Sequence, residues 1–188
     1  MSSEKTALVT GAAVRLGAAT VRTLHERGCD VLVHCNSKRE QADSLAAELN
    51  EARPGSAHVT QADLSGQTGV DTLAEACRAV FPRLDILVNN ASRFYPNEVG
   101  ATAAWQWDDL ISSNLRGPYF LIEALLPELR TAGGCVINIV DIHADRPMPG
   151  HAVYNISKAG LAMMTRTLAL ELGPAVRVNG VAPGAILW

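Results

Sequence analysis

Tyr154 and Lys158 stand four residues apart in the segment Tyr154-Asn155-Ile156-Ser157-Lys158. On a helix that spacing places the two side chains one above the other on the same face. A phenol, with an ordinary pKa near ~10, is a poor proton donor at neutral pH, and a nearby ammonium favours its phenolate. The pair can therefore exchange a proton with a carbonyl or imine under reduction. Tyr and Lys also meet at this spacing on ordinary helices, so their meaning rests on what precedes them.

Thr10-Gly11-Ala12-Ala13-Val14-Arg15-Leu16-Gly17 lies between a short apolar run and an amphipathic one. Glycines there let the backbone approach a pyrophosphate, and a helix N-terminus offers unpaired N–H groups to the anion. A plain strand–helix turn also favours Gly, but the place after a buried first strand favours a dinucleotide. The spacing is G-x-x-x-x-x-G rather than G-x-G-x-x-G, with Arg15 where a middle Gly would stand. An NAD site wants an Asp or Glu about twenty residues further on. This chain instead reads His34-Cys35-Asn36-Ser37-Lys38-Arg39, with no carboxylate and two cations. That stretch accommodates a 2′-phosphate and points to NADP; the plain alternative is a solvated basic helix start. Asp63, just after the third strand, either bonds an adenine amino group or caps a turn, and both readings stand open.

Elements that alternate along the chain must position these groups. Apolar runs predict strands over 6–10, 30–34, 58–61, 84–89, 135–140 and 176–181. Between them, amphipathic segments predict a helix ending at Gly28 and others over about 39–50, 70–81, 114–131 and 152–172. Strict strand–helix alternation implies right-handed crossovers and a parallel sheet covered on both faces, a doubly wound, Rossmann-like α/β fold in three layers. No linker or repeat interrupts it, so residues 1–188 read as one domain.

Composition narrows the partners. A formal net charge of -3 leaves no basic footprint for nucleic acid, and no apolar run approaches the roughly 18 residues of a membrane span. The N-terminus leads straight into a strand, leaving no room for a signal peptide. Cys29, Cys35, Cys77 and Cys135 are widely spaced and lie in apolar stretches, which predicts buried reduced thiols in a cytoplasmic protein rather than a disulfide framework or zinc site. The five histidines share no metal-ligand spacing and read as structural or exposed.

Taken together, the glycine turn, Asn89-Asn90-Ala91 after the fourth strand, Asn114, Tyr154 with Lys158, and Pro183-Gly184 resemble the short-chain dehydrogenase/reductase family in order and spacing. The resemblance spans essentially the whole chain. It implies a nicotinamide cofactor, a proton-donating Tyr154, a Lys158 that lowers its pKa and holds the nicotinamide ribose, and Asn114 on a water-linked proton path. The cofactor contacts carried over by position are Gly11, Arg15, Leu16, Gly17, His34, Asn36, Ser37, Lys38, Asp63, Leu64, Asn90, Ala91, Ser92, Tyr154, Lys158, Pro183 and Gly184. The chain ends in an apolar Ala185-Ile186-Leu187-Trp188, a poor exposed terminus, which suggests a remainder omitted here. In this family the substrate lid and last strand follow at that point. Relatives of this kind are dimers or tetramers, so a homo-oligomer is expected.

Two departures narrow the branch. Where most members place Ser on the fifth strand, this chain has Asp141, and Asn90-Ala91-Ser92-Arg93-Phe94-Tyr95-Pro96 with Arg15 resembles the pteridine reductases. That resemblance implies that Asp141 works with Tyr154 and Lys158, that Phe94 stacks a pterin, and that Arg15 lies near phosphate and pterin. Arg93 departs from the branch, where a small polar residue is usual. Chemically, an aromatic platform suits a flat, electron-poor pterin or folate. A carboxylate can accept hydrogen bonds from an amino-pyrimidine edge, or deliver a proton to a ring nitrogen if its pKa is raised, and Ser does neither as well. Each residue has a plainer role: Phe94 as a loop anchor on the core, Asp141 as a turn cap, and Asn114 as a helix N-cap. Trp105 and Trp107 read as packing or subunit contacts. Reduction of a pterin C=N bond by NADPH is the expected activity, with carbonyl reduction or alcohol oxidation, or NADP binding without turnover, as alternatives.

Overall fold

Apolar runs without polar alternation build the strands, as a sheet covered on both faces requires. In a computed structural model, which describes residues 5–184, they are β1 (Thr6–Val9), β2 (Asp30–Cys35), β3 (Ala57–Gln61), β4 (Ile86–Asn89), β5 (Cys135–Ile139) and β6 (Arg177–Val181). All pair in parallel, in the order β3-β2-β1-β4-β5-β6. The order reverses between β1 and β4, so a crevice opens at the C-terminal ends of those two strands.

The helices are α1 (Arg15–Glu26), α2 (Arg39–Ala52), α3 (Gln67–Val80), α4 (Ala104–Ile111), α5 (Gly117–Ala132) and α6 (Ala152–Leu172). Alternate strand residues feed two cores. Ala7, Val9, Val31 and Val33 meet Val21, Leu45 and Leu49 of α1 and α2. Leu8, Leu32 and Leu87 face the other way, onto Leu73, Leu121, Leu125 and Leu161 of α3, α5 and α6. The period-2 alternation of side chains is thus filled on both faces, which is the α/β sandwich expected from the sequence.

One boundary differs. The helix expected over 114–131 begins at Ala104, because α4 runs through a π-helical turn, Ser112–Arg116, directly into α5. The Gly117 N–H reaches back to the Ser112 carbonyl, and Pro118 has no N–H to offer Asn114 four residues earlier. Asn114 therefore stands inside a continuous helix, and its reading as an N-cap is withdrawn. Trp105 and Trp107 remain exposed, so the first turns of α4 lack the apolar stripe that announces a buried helix. Cys29, Cys35 and Cys77 are buried free thiols and Cys135 is half-buried. Among the described residues, no helix is long and apolar enough to cross a membrane. The apolar end anticipated at 185–188 lies outside the described residues.

Candidate active site

At the crevice, the turn after β1 is built for close approach. Gly11 has φ +62, and a Cβ there would lie 2.9 Å from the Ala91 Cα; a Cβ on Gly17 would lie 2.3 Å from the Gly11 carbonyl oxygen. Only glycine fits either place. The turn is laced to β4: the Asn90 side-chain amide donates to the Thr10 and Gly11 carbonyls at 2.8 and 3.0 Å. Thr10 Oγ1 in turn accepts from the Asn90 and Ala91 amides, each at 2.9 Å. Arg15, which stands where the usual fingerprint has its middle glycine, takes the left-handed backbone itself, with φ +53. A side chain in that region costs about 1–2 kcal/mol, so the chain carries this strain to put a guanidinium at the start of α1.

His34 has a structural part beside the expected one. Its Nδ1 accepts from the Gly11 N–H at 3.1 Å, and Nε2 is 3.0 Å from the Ala62 carbonyl, to which it donates in the matching tautomer. The ring is buried under the turn, and burial lowers its pKa to about 4. With both nitrogens engaged the neutral imidazole props the glycine turn, while His34 also lines the cavity beside it.

The crevice holds a cavity of about 400 Å³. Arg15, Leu16 and Gly17 form one wall, Asn36, Ser37 and Lys38 a second, Asp63 and Leu64 a third, and Asn90, Ala91 and Ser92 the floor toward β4. Val14, the residue before α1, places no side-chain cap on the helix, and no acidic residue stands in its first turn. The free N–H groups there suit an anion. Of the two cations noted at the end of β2, Arg39 is spent on Asp43 at 2.8 Å, while Lys38 has no ion-pair partner among the described residues. Asp63 does cap a turn, accepting from the Ser65 amide at 3.0 Å. Burial opposes its charge, but the Ser65 bonds and Arg93 outweigh it and hold the carboxyl below its ordinary range. Arg93 bridges Asp63, at 3.6 Å, and Asp109 of α4, tying the two sides of the cleft. The glycine cradle, the uncapped helix and Lys38 together fit a dinucleotide phosphate. Among the described residues no cluster could hold a metal ion.

Beyond the cavity, β5 and α6 bring the expected proton-transfer groups Asp141, Tyr154 and Lys158 together. The Tyr154 hydroxyl donates to Asp141 Oδ2 at 2.6 Å, and Asp141 Oδ1 accepts from the His143 amide at 2.8 Å. Asp141 thus caps the 3₁₀ turn Ile142–Ala144 and also accepts from the phenol. Lys158 is buried, and its Nζ donates to the Ile139 carbonyl at 3.0 Å. It lies 5.8 Å from the centre of the Tyr154 ring. The expected lowering of the Tyr154 pKa by Lys158 is therefore corrected. Burial first, then the hydrogen bond to Asp141 and its charge, push the phenol well above its ordinary range. Lys158 is itself brought down to about 8 by burial, against a smaller opposing pull from Asp141.

Asn114 is fully engaged as well. Its Oδ1 accepts from the Arg93 amide at 2.8 Å, and its Nδ2 donates to the Arg93 carbonyl at 2.9 Å and to Ser157 Oγ at 3.1 Å. It clamps the loop after β4 onto α6. Pro183, after β6, accepts from the Ile142 amide at 3.2 Å and so borders the Asp141 turn, with Gly184 exposed beside it.

Phe94 is 55% exposed, which rules out the core-anchor reading. Its ring stands nearly perpendicular to that of Tyr154, with centroids 4.8 Å apart, and parallel to His151 at 4.7 Å and 8°. His151 was missed in the sequence, although it precedes Tyr154 by three residues, the spacing of one helical turn. Asn97 was missed too: buried, it accepts from the Val153 amide at 3.2 Å at the start of α6, and its own amide donates to Gly150. No sequence motif marks it.

Residues 5–187 match the short chain dehydrogenase family. The chain is similar to pteridine reductase 1 of Leishmania tarentolae, at 37% identity over 95% of this chain and 75% of that protein. It is also similar to 3beta-hydroxysteroid dehydrogenase 1 of Eggerthella lenta, at 36% over 97% and 70%. A 3-oxoacyl-(acyl-carrier-protein) reductase of Staphylococcus aureus is 33% identical over 100% of this chain and 76% of its own length.

Proposed function

The chain belongs to the short chain dehydrogenase family, and on that premise we propose that it is an NADPH-dependent reductase of a pterin-like C=N bond, such as that of a dihydropterin or dihydrofolate. Membership makes it an oxidoreductase that uses a nicotinamide dinucleotide; the choice of NADPH and of substrate is our reading. When bound, the dinucleotide supplies the hydride, and everything else falls to the protein. Gly11, Leu16 and Gly17 would cradle the pyrophosphate, Asn36, Ser37, Lys38 and Arg15 would take the 2′-phosphate, and Asn90, Ala91 and Ser92 would border the nicotinamide side.

The observation that carries the substrate class is the bond from Tyr154 to Asp141 beside an exposed Phe94. A carbonyl needs one proton donor, which Tyr154 with a Ser could provide. A pterin presents a flat ring and an amino-pyrimidine edge, which call for a platform and an acceptor. Phe94 offers the first and Asp141 the second. Tyr154 would give its proton to the reduced nitrogen, with Asp141 as its hydrogen-bond partner, and Lys158 would hold the nicotinamide ribose.

A ketone is the second reading, favoured by the similarity to a hydroxysteroid dehydrogenase and a 3-oxoacyl reductase at comparable identity. Site residues, a homo-oligomeric state and cytoplasmic residence belong to the same proposal. The test is NADPH oxidation with a panel of dihydropterins, dihydrofolate, a 3-oxoacyl thioester and a 3-oxosteroid. Pterins turned over with the highest kcat/KM support the reading; a ketone preferred tenfold or more overturns it.

A further inference from the structure

We propose that His151 is a specificity-determining positioning residue: it holds the Phe94 ring as a fixed platform for a planar heterocycle. The inference rests on the pterin reading and extends it to a residue outside the proton-transfer set.

Phe94 lies in an irregular loop and is more than half exposed. An aromatic side chain so placed has two free torsions and, without support, would sample several orientations, each with an entropic cost when a ligand fixes one. Its neighbours remove that freedom. One face of the ring is covered by the parallel His151 ring at 4.7 Å, and the Tyr154 ring stands nearly perpendicular to it at 4.8 Å and 79°. Both distances fall within the range of favourable aromatic pairs.

His151 is itself well held. It is the residue immediately before α6, and its Nδ1 is 3.0 Å from the Pro149 carbonyl. Its backbone bridges Asn97, whose amide donates to Gly150 at 2.7 Å and whose side chain accepts from Val153. The loop carrying Phe94 and the helix start carrying Tyr154 are thereby joined on either side of the stack. His151 is the N-cap of α6 and Tyr154 lies in its first turn, so the platform and the proposed proton donor are set by the same helix start.

His151 covers one face of Phe94 and the residue is still 55% exposed, so free ring surface is left to receive a flat ring. A substrate stacked there would lie parallel to the Phe94 and His151 rings, beside Tyr154. A small aliphatic ketone gains little from such a surface, so the device discriminates by shape.

The test uses NADPH-loaded protein and two readouts. Binding of 2,4-diaminopteridine is measured by calorimetry, and the ring C–H resonances of His151 are followed by NMR. His151→Ala is expected to weaken the pteridine about tenfold, with NADPH affinity within about twofold of the parent. His151→Phe, which retains a stacking ring, should restore most of the loss. Phe94→Ala should weaken binding by a similar factor, and the double variant should be no worse than Phe94→Ala alone, since the histidine acts through the phenylalanine. In the parent, ring current from Phe94 should move the His151 resonances upfield, and Phe94→Ala should abolish that shift.

Losses that add in the double variant, His151→Phe as weak as His151→Ala, a missing ring-current shift, or a parent that binds no pteridine would each overturn the inference. A parent that binds the pteridine but reduces no pterin overturns the activity reading alone, and the variants still decide the platform.

Discussion

The hydroxyl of Tyr154 donates to Asp141 Oδ2 at 2.6 Å, while the other carboxylate oxygen is fixed by the His143 amide. The acid is oriented by the backbone, and the phenol by the acid. Burial and this carboxylate raise the Tyr154 pKa, so the phenol stays protonated across the physiological range. Asp141→Asn removes the charge but keeps a hydrogen-bonding group. Ultraviolet titration of tyrosinate, read as the difference from Tyr154→Phe, should show Tyr154 ionising at lower pH in Asp141→Asn. An unchanged titration would mean that the carboxylate does not govern the phenol.

Tyr154→Phe should lower kcat by about 10²–10⁴, the usual worth of a positioned proton donor, with NADPH binding largely intact. Near-parental turnover would transfer the donor role elsewhere.

Lys158 titrates near 8 because burial disfavours its charge. The ammonium is present below that pH and lost above it, so kcat/KM should fall as pH rises through about 8. Lys158→Arg, which stays charged, should flatten that limb of the profile even where its absolute rate is lower. A limb of the same pKa in the arginine variant would assign the titration to another group.

Lys38 and Ser37 face the cavity, while Arg39 is paired with Asp43. Fluorescence titration should show NADPH bound more tightly than NADH. Lys38→Ala should weaken NADPH by about tenfold, equal to about 1.4 kcal/mol, and Ser37→Asp should narrow the gap between the two cofactors. Tighter binding of NADH by the parent would refute the reading of this wall.

His34 couples the glycine turn to pH. Its folded pKa of about 4 lies below the unfolded value of 6.5, so the unfolded chain binds the proton more tightly. The stability that depends on a neutral ring is complete above about 6.5 and is lost as pH falls from there toward 4. The loss amounts to about 3 kcal/mol. Urea melts at pH 7 and 4.5 should show this difference, and His34→Gln should reduce it. The same slope in the variant would trace the acid sensitivity elsewhere.

The sequence by itself determined the alternation of strands and helices, the glycine turn, and the helix that puts Lys158 one turn beyond Tyr154. Each is a local pattern, written in neighbours one to six residues apart: the doubly buried strands needed unbroken apolar runs, and the turn needed Gly11 and Gly17. What only the tertiary structure decided are pairings between distant residues. Sheet register brings Thr10 to Ala91, 81 residues away, and the packing of α6 against β5 aims Tyr154 at Asp141. The same packing spends Lys158 on a backbone carbonyl, buries His34 beneath the turn, and stacks His151 on Phe94. Residue type announces that a group can do chemistry; its pKa and partner follow from burial and from the elements that meet around it, which no local spacing encodes.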